Sequence, residues 1–343
     1  MAEKRILLSI DGGGLRGILP VCMLARLEEQ TGKRALDVFS FAAGTSTGAV
    51  IAGGIAAGIP AMQMLNLYLH RAGDVFPRHR LDPAWKWARR FTKGHFYSSN
   101  PLRRVLGEEA GAAMDWNLND SPIDIMITGK RVDDGMPWYF VKDNPKNRGR
   151  TGKLSLVDCV TASCVVPTFH EPWTVPEPDP PAGHRPVGRL VDGGVGVAGN
   201  PVYQACVEAF LYSEGYSPSD TVIVSLGTGH HTSLANPTWI LKWLTWTLGE
   251  LLDSAGEQQT ALVERHFAQT PFYRLQPVLP RSIGGDSVES VPELYEIGQR
   301  FAAQIDWEPI LAGEDSPFRI SESNTLARQY AKPVQPGSPA PVS

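Results

Sequence analysis

Two glycine-rich turns, each set between an apolar run and a helical pattern, constrain this chain more than any other feature. The first follows Ile6–Ile10 and reads Asp11-Gly12-Gly13-Gly14-Leu15-Arg16-Gly17. The second follows Val38–Ala43 and reads Gly44-Thr45-Ser46-Thr47-Gly48. A strand that runs through a glycine turn into a helix presents unpaired backbone N–H groups and the positive end of a helix dipole at the strand's end. Two such units predict a parallel sheet with helices on its faces. Both turns then lie at the C-terminal edge of that sheet, where the active sites of such folds collect.

The rest of the chain repeats the alternation. Ile18–Gln30 has helical spacing, Thr47–Ala57 is a small-residue helix that Gly58 can end, and Pro60 opens another helix to about His70. Ile123–Thr128 and Trp138–Val141 read as strands around the turn Asp133-Asp134-Gly135. Leu154–Cys164 reads as a helix stopped by Pro167, and a Pro/Gly-rich loop spans Glu171–Gly188. The short apolar segment Leu190–Val191 then ends in Asp192-Gly193-Gly194. Helix Val202–Tyr212 and strand Thr221–Leu226 follow, the latter ending in Gly227-Thr228-Gly229. Beyond residue 235 the pattern is mostly helical to 312, at about 238–253, 257–267 and 291–304. Residues 333–343 form a Pro-rich tail that reads as disordered. The expectation is one three-layer α/β/α domain over 1–332 with a mainly parallel central sheet.

Several classes fall away. No charged residue occurs between Asp37 and His70, and the stretch carries GxxxG spacings at Gly44/Gly48 and Gly54/Gly58. It is broken by Thr45-Ser46-Thr47, several glycines and Pro60, so it reads as buried strand, turn and helix rather than a membrane span. Cys22, Cys159, Cys164 and Cys206 form no CxxC pair, which argues against structural zinc and against a disulfide framework. The net charge of −4 gives no reason to expect a nucleic-acid partner. The apolar stretch at the N-terminus is too short for a signal peptide, so a cytoplasmic protein is expected.

Gly12, Gly14 and Gly17 satisfy the GxGxxG fingerprint of dinucleotide binding. That fingerprint also needs an acidic residue at the end of the next strand. Asp37 precedes that strand, which ends in Ala43-Gly44. A P-loop fails because Ile18-Leu19 stand where Lys and Ser/Thr are required. What remains is an anion-binding turn at a helix N-terminus. The second turn is a GxSxG, which places a serine on a sharp strand-to-helix corner with its oxygen near a helix dipole. Alone the motif is weak; 29 residues after Gly17, at the same sheet edge, it makes Ser46 a candidate nucleophile. A serine needs a proton acceptor. Asp192 is one candidate. The order Ser46, Asp192, His230 or His231 also fits a Ser-His-Asp triad. A nucleotide- or lipid-binding protein without catalysis is the third reading.

Four segments, in order, resemble the patatin-like phospholipase family: Asp11 to Gly17, Gly44 to Gly48, Asp192-Gly193-Gly194, and Ser225-Leu226-Gly227-Thr228-Gly229. Ala162-Ser163…Pro167 is similar to the family's helix end before the aspartate loop. These matches lie within residues 5–230. The resemblance implies a lipid acyl hydrolase of phospholipase A type with a Ser46–Asp192 dyad and no catalytic histidine. It implies an oxyanion hole from the Gly12, Gly13 and Gly14 amides, with Arg16 shaping that loop and Thr47 N–H as an added donor. Gly17, Gly44, Gly48, Gly193 and Gly194 would shape the turns. It implies no cofactor and no metal, a phospholipid or related lipid ester as substrate, and room for an activating nucleotide or protein partner.

Peripheral membrane contact is expected at Arg78–Tyr97. There Trp85, Trp87, Arg89, Arg90 and Phe91 interleave aromatic and basic side chains, as an anionic lipid surface favours. Trp239, Trp243 and Trp246 recur at helical spacing and read as a buried stripe.

Overall fold

A computed structural model describes residues 4–75, 98–146, 151–167, 170–178, 186–196, 198–231 and 256–320. The basic-aromatic segment, the tryptophan stripe and the Pro-rich tail lie outside the described residues.

Strand β1 (Arg5–Ile10) is central, pairing in parallel with β2 (Phe41–Gly44) on one side and β7 (Thr221–Leu226) on the other. The sheet continues in parallel from β7 to β8 (Phe272–Leu275) and from β2 to β3 (Asp124–Arg131). The full order is β5-β6-β3-β2-β1-β7-β8, with β4 (Pro137–Val141) paired to β3 off this path. β5 (Trp173–Thr174) and β6 (Arg189–Asp192) complete the antiparallel end.

Alternation along β1 sorts the core into two layers. Ile6, Leu8 and Ile10 face one cluster with α1 (Ile18–Thr31), α3 (Thr47–Ala56), α4 (Ala61–Val75), α5 (Asn100–Ala110) and α6 (Leu156–Cys164). Leu7 faces a second cluster, where Val202, Ala205 and Cys206 of α7 (Val202–Val207) meet Val263 of the helix at 256–266. Helices on both faces of a mainly parallel sheet make the three-layer α/β fold expected from the sequence. Among the described residues no helix is long and apolar enough to cross a membrane.

Local differences have local causes. The predicted strand from Val38 starts only at Phe41, because Ala35–Val38 closes a helical turn (α2) in which Phe39 N–H donates to Ala35 O. The Val202–Tyr212 helix turns into a π-helix at Glu208–Tyr212. The C-terminal part is not wholly helical. It contributes β8, a four-residue run between Pro271 and Pro277 that is too short for periodicity to reveal. Helix α5 was not foreseen, although Pro101 near its start and buried Leu102, Val105 and Leu106 mark it.

One feature of β3 positions the site. Residues 126–130 of β3 pair with β4, residues 124–127 with β2, and residues 129–131 with β6. A strand has two edges, so β2 and β6 must share the edge opposite β4. β2 runs out at Gly44, opposite Ile127. β6 runs the other way and ends at Asp192, opposite Gly129. The two chains therefore converge tail to tail on either side of Thr128.

Candidate active site

Past Gly44 the β2 chain brings Thr45 and then Ser46 to that gap, and β6 brings Asp192. The backbone turns sharply at Ser46, with φ 55° and ψ −122°. It is the one non-glycine residue with positive φ among the described residues. Such strain marks sites where the surrounding structure holds a conformation for use. Ser46 N–H donates to Ser163 Oγ at 2.9 Å, and the Cys164 thiol contacts Ser46 O at 3.2 Å, so the end of α6 braces the turn. The flanking glycines are required by space. A Cβ at Gly44 would stand 2.1 Å from Gly48 O, and one at Gly48 would stand 2.2 Å from Ile10 O.

Asp192 is buried, and its Oδ1 accepts from Gly194 N–H at 2.7 Å. Burial pushes its pKa up to about 6, against the hydrogen bonds from the Ser46 hydroxyl and the Gly194 N–H that favour the charge. A carboxylate in contact with the serine, and poised near neutrality, can act as a general base. Thr128 fills the gap between the strand ends: its hydroxyl bonds Thr45 Oγ1 at 2.7 Å, and a Cβ at Gly193 would stand 2.1 Å from it.

The first glycine turn lies beside the serine, and a Cβ at Gly12 would come within 3.4 Å of Ser46 Cβ. Its amides are not equivalent. Gly12 N–H donates to Gly199 O at 2.9 Å, Leu15 N–H to Gly285 O at 2.7 Å, and Arg16 N–H to Gly13 O at 3.2 Å. Gly13 and Gly14 N–H have no acceptor among the described residues. The same holds for Thr47 N–H at the start of α3. Arg16 lines the cavity, and its charge favours ionised Asp11, although burial raises the Asp11 pKa overall. Gly17 lies under the turn, where a Cβ would meet Thr47 Oγ1 at 2.2 Å.

The histidines are placed differently. His230 lines the cavity wall with its N–H on Pro277 O, and the His231 ring contacts Leu279 O at 3.3 Å. Among the described residues neither bonds Ser46 or Asp192.

These groups open into a cavity of about 1320 Å³ that crosses the sheet edge. On the α4/α5 side it is lined by Val50, Leu67, Ala72, Leu102, Val105 and Leu106. On the side of the helix at 256–266 it is polar, with Asn200, Gln258, Thr260 and Gln276. Among the described residues no group of three or more His, Cys, Asp or Glu could hold a metal ion.

A family model described as patatin-like phospholipase matches residues 8–206. A cGAMP-activated phospholipase of Vibrio cholerae is 27% identical over 331 residues, covering 87% of this chain and 90% of that protein. Patatin-like protein 2 of Arabidopsis thaliana is 27% identical over 299 residues, covering 76% of this chain and 71% of that one. Among solved structures, human GIVD cytosolic phospholipase A2 aligns with 91% of this chain and 60% of its own, at 13% identity and TM-score 0.45.

Proposed function

The chain belongs to the patatin-like phospholipase family, and we propose that it cleaves fatty-acyl esters of phospholipids through a Ser46–Asp192 dyad. The observation that carries this reading is the convergence of a strained serine, a buried carboxylate and three open N–H groups at the mouth of an apolar arm.

In this reading Ser46 Oγ attacks the ester carbonyl while Asp192 accepts its proton. Charge grows on the carbonyl oxygen, and the Gly13, Gly14 and Thr47 N–H groups donate to it without reorganising. The proton passes from Asp192 to the leaving alcohol, a lysophospholipid. Water, deprotonated by Asp192, then adds to the acyl carbonyl; the bond to Ser46 Oγ breaks, Asp192 returns the proton to Ser46 Oγ, and the fatty acid leaves. The acyl chain lies along Leu102, Val105 and Leu106, and the headgroup faces the polar side of the cavity. No step calls on a metal. Substrate drawn from a bilayer requires peripheral contact with its surface.

The test is fatty-acid release from mixed phospholipid vesicles in EDTA, comparing wild type with Ser46→Ala and Asp192→Asn. Release that both substitutions abolish supports the dyad. Ser46-dependent fluorophosphonate labelling without release excludes phospholipid as sole substrate or calls for an activator. The Vibrio relative's name puts cGAMP first among activators to add. Neither labelling nor release returns the binding-protein reading.

A further inference from the structure

We infer that Arg274 is the positioning residue of the oxyanion loop, acting through Asp11; this rests on the hydrolase reading above. Arg274 lies on β8, beyond the segment matched by the family model. Its guanidinium grips both oxygens of Asp11, Nη1 to Oδ1 at 2.9 Å and Nη2 to Oδ2 at 2.5 Å. Nη1 also donates to Ser225 Oγ at 2.7 Å.

The sheet register explains the reach. Arg274 pairs with Ser225, Ser225 with Ser9, and Ser9 with Ala43. Residues in register on adjacent strands share a face. A row of small side chains therefore leaves a trough in which one long side chain crosses from β8 to the end of β1. Both partners are largely buried, with side-chain exposures of 9% and 11%. A two-point guanidinium–carboxylate fork fixes orientation as well as distance.

Asp11 is the root of the turn that carries the open Gly13 and Gly14 N–H groups. The backbone from Gly12 to Leu15 is pinned elsewhere by Thr228 Oγ1 on Gly12 O at 2.6 Å and by Leu15 N–H on Gly285 O. Without Arg274 a buried Asp11 loses the fork that holds both its oxygens and the larger of the two charges that favour its ionised form, Arg16 being the smaller. Asp11 must take up a proton or turn toward solvent, and either change swings the root of the loop. Donors aimed at a developing oxyanion are sensitive to such shifts, because misplacement by about 1 Å can lower the rate about 100-fold.

The experiment uses the full chain with Arg274→Met and Arg274→Lys. It measures kcat and KM on a soluble p-nitrophenyl ester, the rate of fluorophosphonate labelling, and thermal unfolding. Arg274→Met is expected to lower kcat and labelling about 100-fold. KM stays within about two-fold, because the loop acts on the transition state. The acid limb of the pH profile, set by Asp192, stays in place. Arg274→Lys, keeping the charge without the fork, falls between wild type and Arg274→Met. Wild-type kcat with a lowered Tm would overturn the inference and leave Arg274 a fastener of β8. A rise in KM alone would overturn it in favour of substrate contact. If Arg274→Met does not fold, Arg274→Lys decides: an intermediate loss of kcat supports the inference, and wild-type kcat overturns it. A wild type that labels and turns over the ester but leaves vesicles intact, with cGAMP added as without it, fails the phospholipid reading while the Arg274 comparison still reads out. A wild type that does neither overturns both.

Discussion

Replacing Asp192 by asparagine is expected to inactivate the protein and to stabilise it, but only above the pH at which the native carboxyl ionises. The carboxyl titrates near 3.8 when exposed and at about 6 in the fold, chiefly because burial disfavours its charge. Between those values the native state holds a proton that the unfolded state has released. Stability therefore falls as pH rises from about 4 to about 6 and is level above that, as far as this group is concerned. The difference of roughly two pH units corresponds to about 3 kcal/mol against the native state at pH 8. Asparagine removes the penalty and keeps an oxygen to accept from Gly194 N–H. For a chain of this length about 3 kcal/mol corresponds to roughly 4 °C in Tm. Thermal unfolding of wild type and Asp192→Asn at pH 4 and pH 8 measures it. The gain should appear at pH 8 and vanish at pH 4. An equal gain at both pH values, or none at pH 8, would refute the claim that the native site holds a charge it disfavours.

The same ionisation sets the rate: kcat/KM on a soluble ester should fall about ten-fold per pH unit below about 6, and His230→Ala and His231→Ala should each retain that limb and the activity. Ser46→Gly should abolish turnover yet raise stability by about 1 kcal/mol in denaturant titrations, since glycine accepts φ 55° and alanine does not. Ser46→Ala should show the same inactivity without the gain. Leu106→Trp should shorten the apolar arm, lowering the ratio of long-chain to short-chain ester turnover about ten-fold.

The meeting of Ser46, Asp192 and the glycine turn at one sheet edge was legible because each is a local arrangement of small residues at a strand end. The turn at Ser46 needs glycine at Gly44 and Gly48, where a Cβ would stand 2.1 and 2.2 Å from a backbone oxygen, and sequence records that need directly. The fate of individual amides was not legible. That Gly12 N–H is occupied depends on Gly199, and that Leu15 N–H is occupied depends on Gly285, each far along the chain. Arg274 escaped for the same reason: nothing near it in sequence says that two small residues on neighbouring strands, Ser225 and Ser9, clear its way to Asp11. The histidines show the converse. Their order after Ser46 and Asp192 fits a triad, but β7 ends against the loop at 277–279 and delivers His231 to Leu279 O.

In the hydrolase reading, the tail-to-tail approach of β2 and β6 along β3 makes the docking of β6 a condition for chemistry. Ser46 and Asp192 are 146 residues apart (192 − 46), and no local fragment brings them together. Their separation is measured out on a third strand, so inserting one residue in β3 near Thr128 would displace Asp192 by about 3.3 Å and reverse the faces beyond it. Pairing over such long range is slow, because loop-closure entropy is lost before the contacts form. A nascent chain that stops short of Asp192, or a chain with a misregistered sheet, therefore holds Ser46 apart from Asp192. In the hydrolase reading, the cell's membranes meet a competent enzyme only after β6 has docked on β3.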